Sequence, residues 1–389
     1  MTTKITKIGT TKDIISGRGG ITLFLKYLEK TNLFQLMTNR LGSLLTSNGN
    51  GLQLKQFLKQ MFAFIIDGTD MSISSFDTKK KDTGYASLLE NTASQMASSH
   101  QMKRFFSKIS IVSDLVYNKI LHELFLWKLK FSKPEIILLG IDTMVMDNND
   151  AKKREGNTDF TDRVSAIVTL IRKRYSKDVP IILCADSGFA DQKAFDKFEQ
   201  ELDIHYIITS KIYGDIKEYS KEIPDENFDE LSKNKLVWKF MDFGNKLKSW
   251  SKFRRCILTK LVFDKNGQGL LDFNKTDNLI YTNIGQCEKA DNRLIDAGGE
   301  RYFKATTIVE TSHQRGADEL IHRSLKELAT KEQLPFKKFG MNRAYYFLLV
   351  ITHFMFEAYK QDVTVDAIPV TVYPNTFRRK FIDFAVKIT

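Results

Sequence analysis

Cysteine is scarce in this chain: its 389 residues hold three, Cys184, Cys256 and Cys287. They are too few and too scattered for a disulfide framework or a cysteine-based zinc site, which fits a reducing cytoplasm. Long apolar runs are missing as well. The longest, Ala344 to Phe356, is broken by Thr352 and His353 and is too short to span a bilayer, so it reads as a buried helix. The first residues, MTTKITKIGTTKD, lack the apolar core of a signal peptide. No internal repeat or low-complexity tract interrupts the chain. These absences exclude secreted, membrane-spanning and repeat architectures and leave a cytoplasmic protein as the expectation.

What is present is a folding composition: 42% hydrophobic and 12% aromatic residues, with 29 Phe, far from the profile of a disordered chain. The length allows two or three domains. Charge is placed unevenly. Of the formal net +12, residues 1–130 hold 18 basic and 9 acidic side chains, 18 − 9 = +9. A basic first third suits a polyanionic partner, most often nucleic acid.

Residues 21–41, 52–66 and 111–129 carry apolar side chains at helical spacing, with the loop TSNGNG (46–51) between the first two. The N-terminal region therefore reads as helical, over about residues 1–130. Ser98 and Ser99 are suited to cap a short helix beginning HQMKRFF, on which Lys103, Arg104 and Lys108 would present cations. Small basic helices of this kind enter DNA grooves in helix-turn-helix modules, although any capped surface helix shares the pattern.

From Glu135 the texture changes. EIILLGID is an apolar run of strand length, as expected for a strand buried on both faces, ending in Asp142. A helix follows from about Asp159 to Arg174, and VPIILCADSGF then repeats the pattern, a strand from Val179 to Ala185 running into Asp186. Open α/β sheets carry their chemistry at such strand ends, so two strands separated by one helix could bring Asp142 and Asp186 to one edge. A turn-forming or capping aspartate is the plainer reading of Asp142 alone. The strand IHYIITS closes this part of the core, residues 131–210. Residues 211–307 turn to short strands with turn signals, and there Lys246, Lys248, Trp250, Lys252, Phe253, Arg254 and Arg255 interleave cations with aromatics. That mixture suits phosphate contact with base stacking, or simply a solvated strand face.

The last segment, 308–389, contains TSHQRGADELIHRSLKE, read as one helix from Thr311 to Glu327. At about 100° per residue, Arg315, Glu319, His322 and Lys326 share one stripe, while Ile321, Leu325 and Leu328 lie on the opposite, core-facing side. Taken alone this is an ordinary amphipathic helix. A long helix from Asn342 to Tyr359 and a polar tail containing YPNTFRRK follow. Three carboxylates delivered by two strand ends and a helix, with cations near the third, would make a hard-oxygen site suited to Mg²⁺ or Mn²⁺ and to phosphodiester chemistry.

In combination, LGIDTMVMDNNDAKKREG, VPIILCADSGFADQKAF and HQRGADELIHRSLKELATKEQLPFKKF resemble the DDE transposases of bacterial insertion sequences, specifically the group 1 type with an inserted β domain. The resemblance runs from about Gly20 to Lys380. It implies an α/β fold: a ribonuclease H-like core, a helical N-terminal domain and a β-rich insertion before the Glu-bearing helix. It implies Asp142, Asp186 and Glu319 as catalytic metal ligands for Mg²⁺ or Mn²⁺, and Arg315 and Lys326 as contacts to DNA phosphates. The implied partners are terminal inverted repeats and target DNA, with a homodimer in the DNA complex, no membrane, and a place in the bacterial nucleoid. A relict protein that only binds ends, or a nuclease of the same fold, are the alternatives; strand-transfer products in a Mg²⁺ assay separate them.

Two positions depart from the family pattern. Ser312 stands where the helix motif opens with Tyr. Between Asp142 and the helix near Asp159 lie only 16 residues, and from Asp147 to Thr158 there is a single Ala and no large apolar residue. A ribonuclease H-like core needs two further strands in that interval, which would use all of it. The expectation is an internal deletion that impairs activity.

Overall fold

The computed structural model describes residues 11–42, 51–112, 114–141, 160–212, 214–233, 236–247, 250–263, 278–314, 316–329 and 334–389. Its strands are β1 (Ile14–Ser16), β2 (Ile137–Ile141), β3 (Ile181–Ala185), β4 (His205–Ser210), β5 (Asp229–Lys233), β6 (Leu236–Asn245), β7 (Arg254–Phe263), β8 (Asn278–Thr282) and β9 (Val386–Ile388). The longer helices used below are α1 (Gly20–Lys30), α2 (Leu33–Leu41), α3 (Leu54–Asp67), α4 (Ser99–Ile109), α5 (Asp114–Ser132), α6 (Phe160–Arg174), α7 (Glu288–Asp296), α8 (Ala305–Gln314), α9 (Gly316–Leu328) and α10 (Phe339–Asp362). The chain divides into two compact units: the described residues of Met1–Phe125 and Ile321–Thr389, and those of Leu126–Val145 and Ala151–Leu320.

The first unit is built on α3, where Leu58 to Asp67 are buried without interruption. The apolar run at residues 21–41 is two helices rather than one, because the chain turns at Thr31 and Asn32, the latter left-handed at φ 57°. The long α10 packs its apolar face inside, with Leu348, Leu349, Ile351, Met355 and Phe356 fully buried. The C-terminal residues are no polar tail. Phe377 and Ile382 are fully buried, and β9 pairs antiparallel with β1. Arg378 donates to the carbonyls of Ile65 and Ile66, both at 2.8 Å, and to those of Glu327 and Leu328 at 3.3 Å, so one guanidinium caps the C-terminal turns of α3 and α9. Gly68, at φ +61°, follows α3, and a Cβ there would come within 2.1 Å of the Arg378 guanidinium carbon. Only glycine serves both the backbone turn and the buried cation.

The second unit is a seven-stranded sheet in the order β2-β3-β4-β8-β7-β6-β5. Neighbours β2, β3 and β4 run parallel, and the rest pair antiparallel. The chain therefore has a mixed α/β fold. The strands of residues 211–307 extend the same sheet through the β4 to β8 pairing, and α7 closes that segment. Ile182, Cys184, Ile207, Ile257 and Ile280 form its core with Leu294, Ile308 and Val309 from the covering helices. In β3 every residue is buried, as a central strand of branched side chains should be. β2 departs from the same expectation: its burial is uneven, with Leu138 45% exposed, and among the described residues no strand pairs with its outer edge.

Candidate functional site

In the parallel register of the sheet, Ile141 lies opposite Ala185 and Ala185 opposite Ile208. β2 and β3 thus end level with one another. The residue after Ala185 is Asp186, half-buried, whose Oδ1 accepts a hydrogen bond from the Gly188 amide at 2.9 Å. Its carboxylate opens the single turn Ser187–Phe189, and Phe189, fully buried against Phe160 at 4.8 Å, anchors that turn. Asp186 is therefore a capping residue and a strand-end carboxylate at once. The residue after Ile141 in the sequence is Asp142, which lies outside the described residues, as do Arg315 and the segment 143–158.

Glu319 belongs to α9 by its backbone; its side chain is outside the description. Residues 311–314 and 316–327 are helical, as expected for this stretch, and Arg315 between them lies outside the described residues. On α9 the buried face is Ser324, Leu325 and Leu328, while Ile321, expected inside, is 49% exposed. His322 and Lys326 are half-buried. Ser312, where the resemblance places tyrosine, is interior, 8% exposed. Among the described residues no three His, Cys, Asp or Glu side chains converge as metal ligands, a description that includes only one of the three expected carboxylates in full.

The cations expected to meet DNA divide sharply. Lys103, Arg104 and Lys108 are exposed along α4, while Met102, Phe105, Phe106 and Ile109 are buried on its other face. Ser98 caps this helix, accepting from the Gln101 amide at 3.2 Å, in a reciprocal capping box. Asp77 holds the start of the helix: it accepts from the Ser99 amide at 2.8 Å and the Ser99 hydroxyl at 2.7 Å. Those bonds, with Lys103 and Lys81 nearby, lower the Asp77 pKa against a small opposing effect of burial.

Trp250, Arg254 and Arg255 are corrections to a reading of surface stacking. Trp250 is 7% exposed and meets Phe195 and Tyr281 edge-on at 5.7 and 4.8 Å. Arg254 is fully buried, its Nη2 2.5 Å from Asp196 and its Nε 3.2 Å from Glu199, with the guanidinium 5.0 Å from the Trp250 ring centre. Arg255 bonds Asp242 through Nε and Nη2 and donates to the carbonyls of Ile284 and Phe303. These side chains hold the sheet to its covering elements. Their acid partners, dispersed at positions 196, 199 and 242, were the missing signal.

The structure adds two cations that the sequence did not single out. A cleft of ≈ 550 Å³ is lined by Asp191, Lys193, Ser210, Lys211, Trp250 and Tyr281, among others. Ser210 ends β4, and Lys211 follows it as Asp186 follows β3. The strand-end argument that selected the aspartates, applied to β4, would have found Lys211.

The family model for the transposase DDE domain group 1 matches residues 150–389, and the chain belongs to that family of transposases. Asp186, Arg315, Glu319 and Lys326 fall within the matched residues, and Asp142 precedes them. No curated protein matches the chain. No described helix is long and apolar enough to cross a membrane.

Proposed function

We propose that this chain is an insertion-sequence transposase that binds terminal inverted repeats and catalyses metal-dependent DNA cleavage and strand transfer. The observation that carries this reading is the level ending of β2 and β3, which run directly into Asp142 and Asp186 at the edge where open α/β sheets do their chemistry. In this reading residues 131–210 and the Glu319 helix form a ribonuclease H-like core, the strands of 211–307 an insertion that widens its sheet, and residues 1–130 the principal DNA-binding region.

Asp142, Asp186 and Glu319 form an all-oxygen donor set, which fits Mg²⁺ or Mn²⁺ rather than a softer metal. When bound, such cations would supply positive charge to the oxygens of the scissile phosphate. The protein's own part is to fix the geometry: the Gly188 amide holds the Asp186 carboxylate at the strand end, and Arg315 and Lys326 contact phosphates. Lys103, Arg104 and Lys108 steer and hold the duplex, and two copies pair the two ends. The setting is the bacterial nucleoid.

A specific observation favours reduced activity, down to a relict that only binds ends. β2 is a sheet edge among the described residues, with Leu138 45% exposed, and the 16 residues of 143–158, which lie outside the description, are short for two further strands unless a partner or another segment of the chain supplies them. An uncovered apolar edge lowers solubility and loosens the alignment of the strand-end carboxylates. The test uses purified full-length chain with Mg²⁺ and a duplex carrying the element's ends. Cleavage with weak strand transfer, raised when a relative's longer segment replaces 143–158, is expected; strong transfer by the unaltered chain contradicts the impairment, and cleavage without any transfer even after that replacement indicates a nuclease.

A further inference from the structure

We infer that a second DNA-contacting surface lies where the C-terminal end of α4 meets the N-terminal end of α10, and that it pushes apolar side chains against the bases of a bound duplex. This rests on the reading of the chain as a DNA-binding protein, shares Arg104 and Lys108 with it, and adds Ile111, Leu115, Lys337, Lys338 and Phe339, which that reading does not use. The two helix ends are fastened together. Phe106 packs on Phe336 at 4.8 Å and on Tyr345 at 5.9 Å. A Cβ at Gly340 would stand 3.1 Å from the Ser110 carbonyl oxygen. Arg343 donates to the carbonyls of Ser110 and Val112 at 3.1 and 3.0 Å and pairs with Asp114 at 3.3 Å.

Around that junction large apolar side chains face solvent. Ile111 is 76% exposed, Leu115 71% and Phe339 70%. The three most exposed large hydrophobics among the described residues thus flank one junction, whereas isolated ones scatter on ordinary surfaces. Lys108, Lys337 and Lys338 are exposed beside them, as is Arg104 one turn earlier. The described residues of 104–115 and 334–343 hold five cations, Arg104, Lys108, Lys337, Lys338 and Arg343, against one acid, Asp114, which is already paired with Arg343.

The charge decides the occupant. A second copy meeting this face about a two-fold axis would set the same cations against themselves, and like charges opposed across an interface disfavour it. A polyanion is attracted. Among polyanions, duplex DNA also accepts exposed Phe, Ile and Leu, which wedge between base steps while flanking lysines neutralise phosphates.

The experiment measures binding of the full chain to a short mixed-sequence duplex labelled at both ends for energy transfer, across a salt series. Lys337→Ala with Lys338→Ala should lower affinity on the order of tenfold and reduce the slope of log affinity against log salt by about 1.8, roughly 0.9 for each phosphate no longer neutralised. Phe339→Ser should keep the slope, weaken binding several-fold and reduce the end-to-end change that reports bending. The substituted side chains are exposed, so an unchanged melting temperature confirms that the variants fold. Wild-type binding by the double-lysine variant overturns the inference. So does a Phe339→Ser variant that bends DNA normally but changes mass by light scattering, which would make the face a contact between copies. If the wild-type chain binds no duplex, the DNA-binding reading fails together with this inference; if it binds and bends DNA as described yet never cleaves the element's ends, the transposase activity fails and this surface stands.

Discussion

Residues 102–109 (MKRFFSKI) and 250–255 (WSKFRR) have the same texture in sequence, cations set among aromatics, and opposite fates in the fold. On α4 the helical period separates the two kinds of residue: Phe105, Phe106 and Ile109 go inside and Lys103, Arg104 and Lys108 stay in water. Around the start of β7 Trp250 and Arg254 go inside together and Arg255 is half-buried, because Asp196, Glu199 and Asp242 wait there to neutralise the two arginines, while Lys252 and Phe253 stay exposed. A basic, aromatic stretch is thus a candidate nucleic-acid surface only when no carboxylates converge on it. The local period shows which side chains can separate, and the long-range pairing decides whether they do.

The comparison breaks most visibly at Arg254. Removing a fully buried guanidinium leaves Glu199, itself 3% exposed, with one fewer counter-charge, and Arg254→Ala should lower unfolding free energy by about 4 kcal/mol. Chemical denaturation measures this, and a decrease under about 1 kcal/mol would place Arg254 back among the surface cations.

His353 on α10 sharpens the contrast, being a buried base that is kept neutral. Burial first, and Lys360 second, lower its pKa from 6.5 to about 4, and its Nε2 stands 3.6 Å from Glu357. Because the folded value is below the unfolded one, the unfolded chain takes up a proton first as pH falls. Stability should therefore be full well above pH 6.5 and decline towards pH 4, by about 3 kcal/mol. His353→Leu should flatten that limb of a stability–pH curve, and an unchanged limb would assign acid sensitivity elsewhere.

The smallest effect on stability belongs to the helix. Arg104→Ala and Lys108→Ala should each change unfolding free energy by less than about 0.5 kcal/mol while reducing the salt slope of DNA binding by about 0.9 apiece. A drop in stability with affinity unchanged would reverse the comparison.

Much of the architecture was legible because it rests on short-range pattern. The buried strand IILCA, the capped helix at Ser98 and the helix ending at Arg174 follow from periodicity, capping and β-branching. What was not legible depended on partners distant in sequence. The segment YPNTFRRK looks solvated until Arg378 is seen to meet carbonyls at 65, 66, 327 and 328. EIILLGID looks buried on both faces because an edge strand and a central strand share a composition. Of the site, the position of Asp186 was readable from the strand before it, while its bond to Gly188 came to light only in the fold. At Trp250 neither a stacking surface nor a solvated face describes the buried Trp250 and Arg254, because the acids that hold Arg254 inside lie far off in sequence. Ile321 shares the face of Leu325 and Leu328, as its spacing requires, yet is 49% exposed, a matter of what covers that turn of α9 rather than of helical period.

The central claim is that Asp186 ends β3 as a catalytic carboxylate and not merely as a turn cap. Asp186→Asn retains an oxygen able to accept from the Gly188 amide but removes the negative charge. The decisive measurement compares cleavage of an end-bearing duplex in Mg²⁺ with binding of the same duplex and with the melting temperature. Asp186→Asn should melt as the parent chain does and bind within about twofold of it, while cleavage falls by a factor on the order of 10³ or more. Cleavage at the parental rate by a folded, DNA-binding Asp186→Asn chain would contradict the catalytic role of Asp186.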